Sequence, residues 1–143
     1  MNILAIETST SNCSIALSKE DEMFLEKGKT RLKHSDIIIP MITRVLDRAN
    51  LSVTHLGAVA FSAGPGSFTG LRIACAVAQG IGFVNNIPVI PISSMKILAL
   101  AMKYPRVFVS VDARLRQVYC AAYESIDNYF REVLTPKLYS LEE

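Results

Sequence analysis

The sequence predicts an α/β fold built on a mixed β-sheet, part of which is then repeated. Three observations carry that expectation. The first apolar runs are joined by short polar turns, as in an antiparallel meander. Strand and helix patterns then alternate, as in parallel βα units. Finally, Ile3-Leu4-Ala5-Ile6-Glu7 matches Phe108-Val109-Ser110-Val111-Asp112 further along. Each is an apolar run closed by a carboxylate, with a short polar turn and a second strand behind it.

Taken in order, Asn2 to Ile6 is the first strand, followed by turn residues from Thr8 to Asn12. Cys13 to Leu17 is the second, Lys19-Glu20-Asp21 a charged turn, and Met23 to Glu26 the third. His34 to Asn50 reads as a helix, because Ile38, Met41, Ile42, Val45, Leu46 and Ala49 recur at helical spacing. Ser35 is its expected N-cap, with Asp36 favoured in the first turn. Pro40 removes one backbone bond and should bend it. Ala58 to Phe61 is the next strand, running into Gly64-Pro65-Gly66-Ser67-Phe68-Thr69-Gly70 and a second helix over roughly Leu71 to Val84. Val89 to Ile92 is a strand, and Ser93 or Ser94 caps a third helix ending near Lys103. After Pro105 the pattern restarts, with strands over Val107–Val111, Gln117–Tyr123 and Tyr129–Leu134 and a polar turn at Ala113–Arg116.

Composition excludes several classes of function. Half of the 143 residues are hydrophobic and the net charge is +2, too balanced for nucleic-acid binding on electrostatics alone. Cys13, Cys75 and Cys120 lie far apart in apolar runs, which fits buried free thiols in a reducing cytosol rather than disulfides or zinc. The N-terminus lacks a basic leader and reads as a strand. The uncharged stretch Ile73–Met95 is interrupted by Asn85, Asn86, Pro88 and Pro91, so it is not read as a membrane span.

Few residues are arranged for chemistry. The glycine-rich loop lies between strand and helix, where Gly64 and Gly66 could expose backbone N–H groups to an anion. No Lys follows Gly70, so it is not a Walker loop, and a tight turn that lets the helix pack closely on the sheet is the preferred account of the glycines on physical grounds. The second helix combines small residues (Ala74, Cys75, Ala76, Ala78, Gly80, Gly82) with Ile73, Val77, Ile81 and Phe83. A helix apolar all round is expected to be buried all round, so the side away from the sheet needs a neighbouring helix or another chain; the His34–Asn50 helix offers the neighbour, and the apolar surface the two still leave exposed marks an interaction site. His34 has Ile37 and Ile38 at the helical spacings where a metal partner would stand, so no metal site is expected. Glu7 and Asp112, each ending a strand, form the best carboxylate pair. Thr8, Ser9 and Arg114 stand beside them as phosphate contacts or as ordinary turn residues.

The segments ILAIETST, KHS, GPGSFTGLRIA, and VDAR before VYCAAY make the chain resemble the TsaB (YeaZ) family of tRNA threonylcarbamoyladenosine biosynthesis proteins. The resemblance runs from Ile3 to about Leu134, and GPGSFTGLR is its most specific part. It implies an actin-like (ASKHA) fold of two RNase H-like lobes. Residues 1–104 would form the first, and 105–143 the start of a second, three-stranded and incomplete beside the family's longer chains. It further implies a non-catalytic cytoplasmic scaffold that binds the metal-carrying paralogue TsaD through its first two helices. The P-loop ATPase TsaE joins them, tRNA is reached only through the complex, and a homodimer forms on the same surface. That surface would comprise Ile38, Met41, Ile42 and Val45 on one helix and Phe68, Leu71, Arg72 and Cys75 on the other. The catalytic paralogue has an HxxxH metal motif, whose second histidine is replaced here by Ile38, so no catalytic residue is expected. No tightly bound cofactor is implied; ATP or ADP with magnesium would enter only at the partner interface or the cleft. The competing expectation is an enzyme: a nucleotide-dependent phosphotransferase using Glu7 and Asp112, or a glycoprotease-like peptidase.

Overall fold

The computed structural model describes residues 1–28, 33–127, 129–140 and 142. The chain forms two compact units, Met1–Ile92 and Ser93–Glu143. The sequence placed this boundary after residue 104. The third helix belongs to the second unit instead, because its Met95 and Ala99 are buried in that unit's core.

In the first unit the elements are β1 (Ile3–Glu7), β2 (Ser14–Lys19), β3 (Glu22–Lys27), α1 (His34–Arg48), β4 (Ala58–Ser62), α2 (Phe68–Asn85) and β5 (Val89–Ile92). The sheet order is β3-β2-β1-β4-β5. β1 is antiparallel to β2 and parallel to β4, so the meander and the βα units share one mixed sheet as expected. Register aligns Leu4 with Leu17 and Val59, and Ile6 with Ile15 and Phe61. These alternate residues make one apolar face, and α1 and α2 cover it. Leu4, Ile6, Ile15, Leu17, Ile38, Met41, Val45, Val59, Ala74 and Ala78 form the resulting core. This is the RNase H-like sheet of the actin-like fold class.

Local differences from expectation have physical causes. α1 starts at His34 with Lys33 at the N-cap, and Ser35 is already inside the helix, where its hydroxyl donates to Asp36 Oδ1 at 2.9 Å. α1 continues through Pro40, which lies on its exposed side. α2 begins three residues early, because the Ser67 hydroxyl accepts from the Gly70 N–H at 3.3 Å and closes the first turn. A short 3-10 turn over Val53–His55 went unread in the sequence; there the Ser52 N–H donates to His55 Nδ1 at 3.0 Å.

The second unit comprises α3 (Ser94–Met102), β6 (Arg106–Arg114), β7 (Gln117–Ile126) and β8 (Tyr129–Ser140). Its antiparallel sheet has the order β6-β7-β8. Met95 and Ala99 pack against Val109, Ala121 and Tyr123. β8 runs on beyond Leu134 through Pro136. An edge strand tolerates proline because its outer N–H has no ladder partner to lose.

Candidate functional site

The turn after β1 and the loop before α2 are clamped together. The Thr8 hydroxyl donates to the Gly70 carbonyl at 2.7 Å, and the Ser67 N–H donates to the Ser9 carbonyl at 2.6 Å. Thr8 and Ser9 are both buried. A Cβ on Gly66 would strike Ser9, and one on Gly70 would strike the Thr8 carbonyl. The glycines therefore allow loop and helix to sit directly on the β1 turn. Gly64 takes a φ of +102°, a left-handed conformation that suits glycine. Of the residues grouped as phosphate contacts, Thr8, Ser9, Gly64 and Gly66 thus have structural work of their own.

The two carboxylates do the same thing in their separate units. Glu7 Oε1 accepts from the Ser9 N–H at 2.6 Å, and Asp112 Oδ1 accepts from the Arg114 N–H at 2.8 Å. In each repeat the acid closing the first strand ties down the backbone two residues later. Arg114, Leu115 and Arg116 follow with φ of 67°, 53° and 58°, forming a left-handed hairpin tip. The His34 ring lies at the start of α1, with Nε2 3.2 Å from the Ser11 carbonyl. Among the described residues no group of three or more His, Cys, Asp or Glu is placed to hold a metal ion.

The expected partner surface needs one correction. Ile38, Met41, Ile42 and Val45 are all buried within the first unit. They are the stripe by which α1 grips β2 and β3, and they have no surface left for a partner. The outward side of α1 carries Ile39, Pro40, Thr43, Arg44 and Arg48. Arg44 Nε and Arg48 Nη1 reach Glu26 at 3.2 and 3.0 Å, tying that side to the edge strand.

α2 is arranged the other way round. Its buried positions are Gly70, Ala74, Ala78 and Gly82, all small. Leu71 and Cys75 are half-buried along the flank. The bulk faces outward: Phe68, Phe83 and Val84 are 68%, 89% and 80% exposed. The Arg72 guanidinium stacks 3.6 Å above the Phe68 ring, and both are exposed. Spacing alone allowed this pair, since residues four apart are neighbours on a helix. Gly80 and Phe83 belong to the apolar helix read in the sequence, but they and Val84 were not among the residues expected at the partner surface. The usable signal was the row of small residues at every fourth position, marking the face that lies closest to the sheet.

Two concavities adjoin these features. A groove of about 330 Å³ between the starts of α1 and α2 is lined by Ser11, Lys33, His34, Ser67, Thr69 and Gly70, among others. In the second unit, a groove of about 520 Å³ includes Arg106, Phe108, Glu124 and Val133. There Glu124 accepts from Arg106 at 2.8 Å and Arg131 at 3.0 Å, and these hydrogen bonds hold its carboxyl below the usual range. Among the described residues, no helix is long and apolar enough to cross a membrane.

Residues 28–143 match the family model described as "TsaD: tRNA N6-adenosine threonylcarbamoyltransferase". The chain is 37% identical over 123 residues to the tRNA threonylcarbamoyladenosine biosynthesis protein TsaB of Haemophilus influenzae, covering 83% of this chain and 52% of that protein. To the TsaB of Escherichia coli it is 35% identical over 132 residues, covering 90% of this chain and 57% of that protein. The solved structure of YeaZ from Pseudomonas aeruginosa superposes with a TM-score of 0.90 at 33% identity, over 96% of this chain and 66% of that one. The chain spans little more than half the length of the curated relatives it matches.

Proposed function

We propose, from the premise that the chain belongs to the family of TsaD, tRNA N6-adenosine threonylcarbamoyltransferase, and within it to the TsaB (YeaZ) group, that it is a non-catalytic scaffold in the making of N6-threonylcarbamoyladenosine on tRNA. Its partner in this reading is the catalytic paralogue TsaD. The contact is made by the outward face of α2, with the Ile39 side of α1 beside it. TsaE joins the assembly, and tRNA is met only through the complex. A homodimer would use the same surface when TsaD is absent. The chain needs no tightly held cofactor of its own; ATP or ADP with magnesium would enter only at the partner interface or cleft.

The observation that supports this reading is the outward turn of the bulky residues on α2. Phe68, Phe83 and Val84 stand in water on a helix whose buried face needs only glycine and alanine. Such apolar surface is favourable to bury against another protein.

Light scattering of the chain mixed with TsaD from the same organism tests the proposal. The expected result is a single species with the summed mass. Phe83→Asp should weaken it by at least about tenfold, the scale of an interface hot spot. Two components eluting at their separate masses would overturn the scaffold reading. Sustained ATP hydrolysis or peptide cleavage by the chain alone would favour the enzyme alternative.

A further inference from the structure

We propose that the open face of the second unit's sheet binds single-stranded RNA, with bases stacked on Phe108 and Tyr129 and phosphates held by Arg106 and Arg131. This rests on the tRNA reading above and adds that, inside the assembly, the chain itself touches the RNA.

Strand register defines the face. α3 covers the side of the sheet that carries Val109, Ala121 and Tyr123. On the opposite side, the three strands bring side chains together in cross-strand rows. Arg106 lies opposite Glu124, and Glu124 opposite Arg131. In the next row one way, Phe108 lies opposite Ala122; in the next row the other way, Ile126 lies opposite Tyr129. Phe108 and Tyr129 are 65% and 78% exposed. The arginine row therefore runs between two exposed rings. By strand spacing and rise, the rings stand roughly 16 Å apart. The groove of about 520 Å³ bordered by Arg106, Phe108, Glu124 and Val133 lies on this face.

The arginines are held ready for an anion. Glu124 Oε1 accepts from Arg106 Nε, and Oε2 accepts from Arg131 Nη2. One carboxylate thus positions two guanidiniums and neutralises only one of them. Arg106 uses its Nε–H here, which leaves both terminal NH2 groups for a ligand, and both arginines are exposed. A guanidinium fixed in this way suits the oxygens of a phosphate. Further along, Lys137 lies opposite Cys120, with its Nζ 5.5 Å from the centre of the Tyr139 ring. The charge of the whole chain is nearly balanced, but on this face Arg106, Arg131 and Lys137 outnumber Glu124 and Asp112. Asp112 already accepts from the Arg114 N–H.

The same pattern argues against a protein as the occupant. The centre of a protein interface is depleted in charge, whereas here a charged row divides the apolar surface. Unpaired nucleotides offer a flat base and an anion in turn, and open sheets bind them with aromatic side chains and cations placed side by side.

Fluorescence anisotropy of a labelled, unstructured RNA oligonucleotide titrated with the full chain tests this, with thermal unfolding of each variant beside it. The chain alone is expected to bind weakly, with a Kd on the order of 100 μM at physiological salt, so that tRNA is held effectively only in the assembly. Phe108→Leu keeps an apolar side chain but removes the ring. It should weaken RNA binding by about tenfold and leave the thermal midpoint almost unmoved. Arg131→Gln should weaken binding and reduce the slope of log affinity against log salt by roughly 0.7, the loss of one phosphate contact. Neither variant should alter TsaD binding measured by calorimetry. A parent chain that ignores the RNA overturns the inference, as does unchanged affinity in Phe108→Leu or an unchanged salt slope in Arg131→Gln. Weakened TsaD binding in these variants, with RNA binding intact, would make the face a protein-docking surface and also overturn it. A parent chain that binds RNA as expected but does not bind TsaD overturns the scaffold reading alone.

Discussion

α1 and α2 cover the same face of one sheet, and both are rich in apolar residues, yet they orient their bulk in opposite directions. α1 turns Ile38, Met41, Ile42 and Val45 inward and shows polar residues along much of its outer side. α2 turns glycine and alanine inward and leaves Phe68, Phe83 and Val84 in solvent. Large inward residues hold a helix at a distance from its sheet and fill the gap. Small ones let the helix sink onto the strands, here close enough for Gly70 to touch the Thr8 carbonyl and Gly82 to touch Val89. Two helices that both carry many apolar residues can therefore serve different ends, one as core and the other as a surface that can be covered by another chain.

The largest expected effect breaks the comparison at the α1 side. Val45→Asp buries a charge with no partner and should destabilise the chain by on the order of 4 kcal/mol. Phe83→Asp on α2 should stay within about 0.5 kcal/mol, as exposed substitutions do. Urea unfolding of the two variants side by side checks the contrast, and similar losses in both would contradict it. The next test lies wholly within α2. Gly70→Ala forces a methyl group onto backbone and should cost roughly 2 kcal/mol, as overpacking does. Gly80→Ala, the same substitution at an open position, should stabilise by about 1 kcal/mol through helix propensity. Thermal midpoints moving in the same direction for both would refute the division of α2 into an inner and an outer face.

The smallest effect concerns thiols. Cys13 is buried in the core, and burial, aided by the charge of Glu7, pushes its thiol pKa upward. Cys75 is half-buried on the flank of α2. A thiol reagent at neutral pH should therefore modify Cys75 before Cys13, since the thiolate is the reactive form. Raising the pH should narrow the gap. Equal rates at neutral pH would mean that the first unit's core opens more readily than its packing implies.

Much of this arrangement was legible in the residues. The mixed sheet followed from polar turns early in the chain and alternating strand and helix patterns later. The repeat was visible in Ile3–Glu7 and Phe108–Asp112, and the structure deepens it by giving both acids the same hydrogen bond to the residue two places on. The partner face was only half legible. Periodicity shows that Ile38, Met41, Ile42 and Val45 share a side of α1, but it does not say whether a sheet or another protein lies against that side. The sheet had first claim, because Leu4, Leu17 and Ile15 needed a cover. Phe68 and Arg72 stay exposed because the loop and turn beneath them hold α2 by glycine contacts rather than by large side chains. Gly64 and Gly66 were open to an anion or a packing role in the sequence, and backbone contact with Ser9 was invisible there because it joins residues far apart in the chain.

Hydroxyl-radical footprinting of the chain, alone and mixed with TsaD, addresses the central claim most directly. Phe68 and Phe83 should be oxidised readily in the free chain and shielded in the mixture, while Met41 stays unmodified in both. Equal oxidation of Phe83 with and without TsaD, or ready oxidation of Met41 in the folded free chain, would contradict the assignment of α2 to the partner and α1 to the core.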